Sequence, residues 1–380
     1  MKLEGQNTIA ACERQLRNLA SAPPGEPLKI PTKMRYLAAG GEASVAQLIV
    51  SWAQKVGTPY LQTYISDSSD DQLAEFPRRF YGLIAALCAD TIGGTPATVD
   101  VTEPLKKAAI QRLTELMGSN PKEAYRGPTA EIVCADHLGR ESPYLLYQSL
   151  PEGGHRLRSR ENFRLLADWL FRHTMPIEYQ QAINPIASQA IGGMLFELIK
   201  NTEDHALVNA AGNLLDISIR ALKTSHSSIT PSDLARIVAD FEPLATYCTS
   251  LRAPAGSAQT HLFELSILDS GPGFAPSLTG KSLTELSIEE EEQAVRHCFS
   301  RSTSKNHDRF GQGLPHVLRL LRQERGFLRL RTGRLSFYVD FSLPDIAEEG
   351  PDALRTWRSD DLAPVGGSLL TILIPMIRRS

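Results

Sequence analysis

Cysteine is scarce and scattered, with five in 380 residues (Cys12, Cys88, Cys134, Cys248 and Cys298) and no CxxC pair. This excludes a disulfide-stapled scaffold and offers neither a zinc motif nor a redox dithiol. Charge of one sign is missing too, since 40 basic against 43 acidic residues leave a formal net charge of -3. No global field draws the chain to nucleic acid or to an anionic membrane, so a nucleic-acid partner is not indicated. No stretch approaches the roughly 18 to 20 apolar residues of a membrane helix. Glu4, Cys12, Glu13 and Arg14 interrupt any apolar signal-peptide core. The expectation is a cytoplasmic protein of a reducing compartment, with no membrane partner. What is present is ordinary: 42% hydrophobic and 22% charged residues, the composition of folded domains, with length enough for two.

Periodicity divides the chain. Leu28 to Ile30 and Pro59 to Ile65 suit strands, whereas Ala43 to Lys55, Phe80 to Leu87 and Pro104 to Met117 suit helices. This first part reads as an α/β module of unknown role. Ser149 to Arg160, with Pro151, Gly153, Gly154 and a cluster of basic and histidine residues, has the composition of a linker. Domains are therefore expected at 1–155 and 156–380. Beyond the linker, Glu161 to Arg172 and Pro185 to His205 suit helices, and the region up to Leu251 reads as helical or irregular. His261 to Leu268 alternates as a half-buried strand, Phe327 to Arg331 and Leu335 to Phe341 form a hairpin around Thr332 and Gly333, and Leu369 to Ile374 is a last strand. The pattern gives an α+β fold, with helices on one face of a mixed sheet, preceded by the smaller α/β module.

Three segments carry candidate chemistry. In Phe196 to His205, Glu197, Asn201 and Asp204 fall four and three apart, on nearly one helix face. Such a stripe among apolar neighbours needs water, protein or ligand to satisfy it; a solvated face would look the same. In Ile267-Leu268-Asp269-Ser270-Gly271-Pro272-Gly273-Phe274, a carboxylate leaves a strand ahead of two glycines, which permit positive φ and close approach of a ligand. An ordinary Asp-Gly turn has the same composition. In Arg309-Phe310-Gly311-Gln312-Gly313-Leu314-Pro315, glycines open a helix that runs through Val317, Leu318 and Leu321. A helix start presents unpaired amides and partial positive charge to an anion.

In this order the three segments resemble the ATP-binding domain shared by DNA gyrase, the ninety-kilodalton heat-shock chaperones, histidine kinases and the mismatch-repair protein MutL, the GHKL superfamily. Gly366-Gly367-Ser368 through Pro375 is also similar to the closing strand of the kinase branch, and the resemblance covers about Glu161 to Ile377. It implies a Bergerat-type α/β sandwich holding ATP and Mg²⁺. Glu197 would be the catalytic residue, orienting the attacking water, and Asn201 would give its amide oxygen to the metal. Asp269 would accept the adenine amine, with Gly273 making room for the base. Gly311, Gln312, Gly313 and Leu314 would cradle the phosphates, and Asp204, Gly271 and Lys305 complete the nucleotide-binding set.

Residues from about 275 to 310 correspond to the superfamily's variable lid, where Ser287 and Glu290 have capping-box spacing. The run Glu289 to Glu292 reads as a solvated face, as does the basic strand face of Arg329, Arg331 and Arg334. Arg301 or Lys305 either meets the γ-phosphate on lid closure or stays in solvent. The implied function is an ATPase whose lid switches a homodimer or a separate effector protein. The alternative is a protein kinase of the histidine-kinase or anti-sigma type acting on a partner. Autophosphorylation is disfavoured, because His137, His155 and His173 lack a phosphoacceptor context.

Overall fold

The computed structural model describes residues 1–5, 7–35, 38–66, 69–139, 142–180, 185–209, 212–237, 241–251, 259–300, 313–343, 350–357 and 362–376. The first part builds α1 (Ile9–Ala20), β1 (Leu28–Lys29), α2 (Gly41–Val56), β2 (Tyr60–Gln62), α3 (Asp70–Glu75), α4 (Phe80–Cys88), β3 (Thr91–Gly93) and α5 (Thr102–Met117). Strands β1, β2 and β3 are neighbours and parallel, which the intervening helical crossovers permit. Helices α2 and α4 bury Val45, Leu48, Ile49, Trp52, Leu83 and Ile84, and so form the centre of this module's core.

The chain continues through β4 (Thr129–Ala135), β5 (Tyr147–Ser149), β6 (His155–Leu157), α6 (Arg160–Thr174), α7 (Pro185–His205), β7 (Ile219–Ile229), α8 (Pro231–Ile237) and α9 (Glu242–Ser250). It ends with β8 (Thr260–Asp269), α10 (Phe274–Thr279), α11 (Ile288–Cys298), α12 (Gly313–Gln323), β9 (Phe327–Thr332), β10 (Leu335–Asp340), β11 (Arg355–Thr356) and β12 (Ser368–Pro375). Among the described residues, seven strands form one sheet in the order β11-β10-β9-β12-β8-β7-β4. The class is α+β, as the pattern implied. Parallel and antiparallel pairing are both present but in separate sheets, since every pairing in the large sheet is antiparallel. The reason is β12, which inserts between β8 and β9 and pairs with both.

One face of the large sheet, carrying Phe263, Leu265 and Ile267, packs against Leu170, Leu195, Leu198, Leu318 and Leu321 of α6, α7 and α12. The opposite face is also covered. There Ala221, Leu268 and Leu369 join the core of the first module, and Leu262 and Leu373 join Phe241 and Tyr247 at α9. The sheet crosses the expected division at residue 155, because its edge strand β4 comes from ahead of that point. Strand β7 corrects the expectation of helical or irregular structure before Leu251. It pairs with β8 from Arg220 opposite Asp269 to Ile229 opposite Thr260.

The covered second face corrects the basic strand face as well. Arg329 and Arg331 are not solvated: both are buried, and both reach Glu13 of α1. Arg331 donates through Nε to Glu13 Oε1 at 2.9 Å and through Nη2 to Oε2 at 3.1 Å, while Arg329 Nη2 donates to Oε1 at 3.0 Å. Burial pushes the Arg329 guanidinium down to about 10, and Glu13 partly opposes that shift. Lys223 lies in the same layer, 3.4 Å from Glu42 and 3.8 Å from Glu264, and all but Glu42 are buried. Buried charges persist only when paired, so these contacts fix the first module on the sheet.

Candidate functional site: a pocket between α7 and the end of β8

The apolar alternation of β8 brings Asp269 out on the same sheet face as Ile267, and α7 crosses that face. Between them opens a pocket that is continuous with solvent. Glu197, Asn201, Asp269, Gly273 and Leu314 all line it. Three stretches far apart in the sequence therefore meet at one place.

Asp269 lies at the floor. It is half-buried, and its Oδ1 accepts the Gly271 amide at 2.9 Å. Burial pushes its carboxyl up to about 6, opposed by amide hydrogen bonds from Gly271 and Ser368 and by the charge of Arg220. Of the two glycines in this turn, only Gly273 takes positive φ, at 92°; the expectation for Gly271 is corrected, since its role is to donate to Asp269. A Cβ on Gly273 would come within 2.8 Å of Thr332 Oγ1. That hydroxyl accepts the Phe274 amide at 3.1 Å and lies 3.1 Å from Ser368 Oγ. Gly367 closes the floor from the other side, with φ of 67°, and a Cβ there would fall 1.7 Å from the Asp269 carbonyl.

On the opposite wall, Glu197 and Asn201 stand one turn apart on α7. The Glu197 side chain is only 18% exposed and is paired with Arg160, the first residue of α6, whose guanidinium also lies 5.1 Å from the Phe196 ring centre. Among the described residues the Asn201 side chain has no hydrogen-bond partner. Asp204 belongs to α7, but its side chain lies outside the described residues, as do Lys305, Gly311 and Gln312 entirely. Gly313 opens α12, and Leu314 behind it is buried against the pocket.

Sequence reasoning missed several walls. Ile267 and Leu370 supply apolar surface beside Asp269, and Ser368 a hydroxyl. The signal was present, because β12 pairs Ser368 with Asp269 and Leu370 with Ile267, so alternation alone puts them on one face. Leu198, Phe274 and Cys298 complete the apolar lining. The Cys298 thiol is pushed up to about 12 by burial, which makes it a packing group rather than a nucleophile.

The described part of the segment expected as a lid, residues 275–300, contributes Ser277 and Cys298 to this pocket. Helix α11 begins on the anticipated capping box, with Ser287 Oγ accepting from the Glu290 amide and Glu290 returning to the Ser287 amide. One of its glutamates departs from the expected solvated face. Glu291 is buried, accepting from the Arg334 amide at 2.8 Å and from Arg334 Nε at 2.7 Å, so it clasps the β9–β10 turn. Arg334 is thereby only half-buried and paired, not a free surface charge.

The donor set suits a nucleotide with magnesium: a carboxylate at the floor of apolar walls can accept an aromatic amine, and an unpaired amide oxygen is a hard ligand for Mg²⁺. No family model, no curated protein and no solved structure matches this chain. No helix among the described residues is long and apolar enough to cross a membrane.

Proposed function

We propose that the chain binds ATP with Mg²⁺ and hydrolyses it, and that closure of the segment around residues 275 to 310 over the nucleotide switches contact with a second copy or with a separate effector protein. One observation supports the reading: Glu197 and Asn201, Asp269 and Gly273, and Leu314, expected from three separate sequence segments, line the same pocket. Convergence of three segments distant in sequence on one cavity is not what unrelated surface features would give.

In this reading Asp269 accepts the exocyclic amine of adenine, held ready by the Gly271 amide. Ile267 and Leu370 exclude water from the base. Asn201 contributes its amide oxygen to the metal, and the metal, when bound, neutralises phosphate charge. Glu197 orients the attacking water and accepts its proton, a task that a carboxylate within one water of the phosphate performs. Arg160 holds that carboxylate against the pocket wall. The amides at the start of α12 favour the phosphates.

The test is phosphate release by the purified chain with ATP and Mg²⁺, compared with Glu197→Ala. Equal release by both removes the hydrolytic assignment. Label from γ-labelled ATP appearing on an added protein instead of as free phosphate would make the chain a protein kinase.

A further inference from the structure

Helix α2 belongs to the first module, for which the sequence suggested no role, yet it carries a stripe of inward-facing polar residues. Gln47, Ser51 and Gln54 are four and three residues apart and so share a face. Gln47 and Ser51 are buried, and Gln54 is half-buried. Each bonds the backbone of a different segment that lines or braces the pocket. Gln47 Nε2 donates to the Arg331 carbonyl at 3.0 Å, Ser51 Oγ accepts the Gly366 amide at 2.9 Å, and Gln54 Nε2 donates to the Ser270 carbonyl at 2.7 Å.

The three backbone partners are the chain neighbours of Thr332, Gly367 and Asp269. Those are the hydroxyl that braces the Gly273 turn, the glycine packed against the Asp269 carbonyl, and the carboxylate itself. Apolar residues would cover a sheet as well as the rest of α2 does. They could not register three separate backbone segments against one another, which directed hydrogen bonds to backbone groups do.

We propose that Gln47, Ser51 and Gln54 of α2 are positioning residues for the base-binding end of the pocket, so that the first module and nucleotide affinity are thermodynamically coupled. This deepens the nucleotide reading and rests on it. Because linkage is reciprocal, anything that displaces α2 weakens nucleotide binding, and bound nucleotide holds α2 in place.

The experiment is calorimetric titration of the full chain with ADP and Mg²⁺ across pH 5 to 8, for the wild type, Gln54→Ala and Ser51→Ala, below each variant's melting temperature. Expected for Gln54→Ala is affinity reduced about tenfold or more, together with a pH midpoint of binding moved below the wild-type value, as Asp269 becomes better solvated. A purely structural role would lower the melting temperature and leave affinity and midpoint unchanged, which overturns the inference. Should Gln54→Ala fail to fold, unchanged affinity and midpoint in Ser51→Ala overturn it equally. Absence of ADP binding by the wild type overturns the nucleotide reading, and this inference with it; wild-type binding that both variants keep overturns the inference alone.

Discussion

Replacing Asp269 with asparagine should stabilise the free protein and cripple nucleotide binding, two effects of opposite sign from one atom exchange. Burial raises this carboxyl from 3.8 to about 6 in the folded chain. Below the unfolded value both states are protonated, and the group has no pH-dependent effect. As pH rises from about 4 towards 6 the unfolded chain ionises first, so stability is lost through that window and the loss is complete above it. The shift of about two units corresponds to ~3 kcal/mol at neutral pH. Asparagine removes that penalty but brings an amide nitrogen close to the Ser368 amide, which returns ~1 kcal/mol. A net gain of ~1–2 kcal/mol at pH 7.5, absent at pH 4, is expected in thermal or urea unfolding. Binding moves the other way: loss of a charge-assisted hydrogen bond costs ~1.5–3 kcal/mol, about 10- to 150-fold in ADP affinity. In the wild type, affinity should fall about tenfold per pH unit below about 6. Asp269→Asn protein that is less stable at pH 7.5, or that binds ADP as the wild type does, refutes the reasoning.

Glu197→Ala should lower the rate of phosphate release by roughly 10²- to 10⁴-fold while ADP affinity stays within a few-fold, because the carboxylate acts on the water and not on the base; parallel calorimetry and turnover assays check this. Gly367→Ala forces a Cβ to within 1.7 Å of the Asp269 carbonyl at a residue with φ of 67°, so it should cost more than ~3 kcal/mol in unfolding experiments and abolish binding. Glu13→Ala strands Arg329 and Arg331 in the interior and should cost ~3–5 kcal/mol, whereas Glu13→Gln, which keeps hydrogen bonds, should cost less; denaturant midpoints of the two rank them.

The helix of Glu197 and Asn201, the strand ending in Asp269, the hairpin of β9 and β10 and the closing strand were all legible, because each buries one clean apolar face. Strand β7 was not. Its second face carries Lys223 and Ser225 into a polar layer, and its segment Ile219–Ile229 therefore lacks the alternation that marks a half-buried strand. Arg329 and Arg331 misled for the same reason: a charged residue on an alternating strand reads as outward, and its counter-charge, Glu13, is more than three hundred residues away. At the pocket, residue types and spacing singled out Asp269, Glu197 and Asn201, and the structure places all three on its walls. Arg160 and Gln54 carry no such mark, because what selects them is a neighbour in space.

The pairing of Glu13 with Arg329 spans 316 positions, and that distance constrains how the chain can be made. A ribosome delivers α1 long before its counter-ions exist, so the helix can pack on α2 early but Glu13 must wait, unpaired, until most of the polypeptide has emerged. Contacts of such long sequence separation slow folding. Synthesis arrested before residue 329 should therefore yield a more protease-sensitive amino terminus than the full chain has, and a bulky fusion that pins α1 away from the sheet should leave two buried guanidinium groups without their carboxylate.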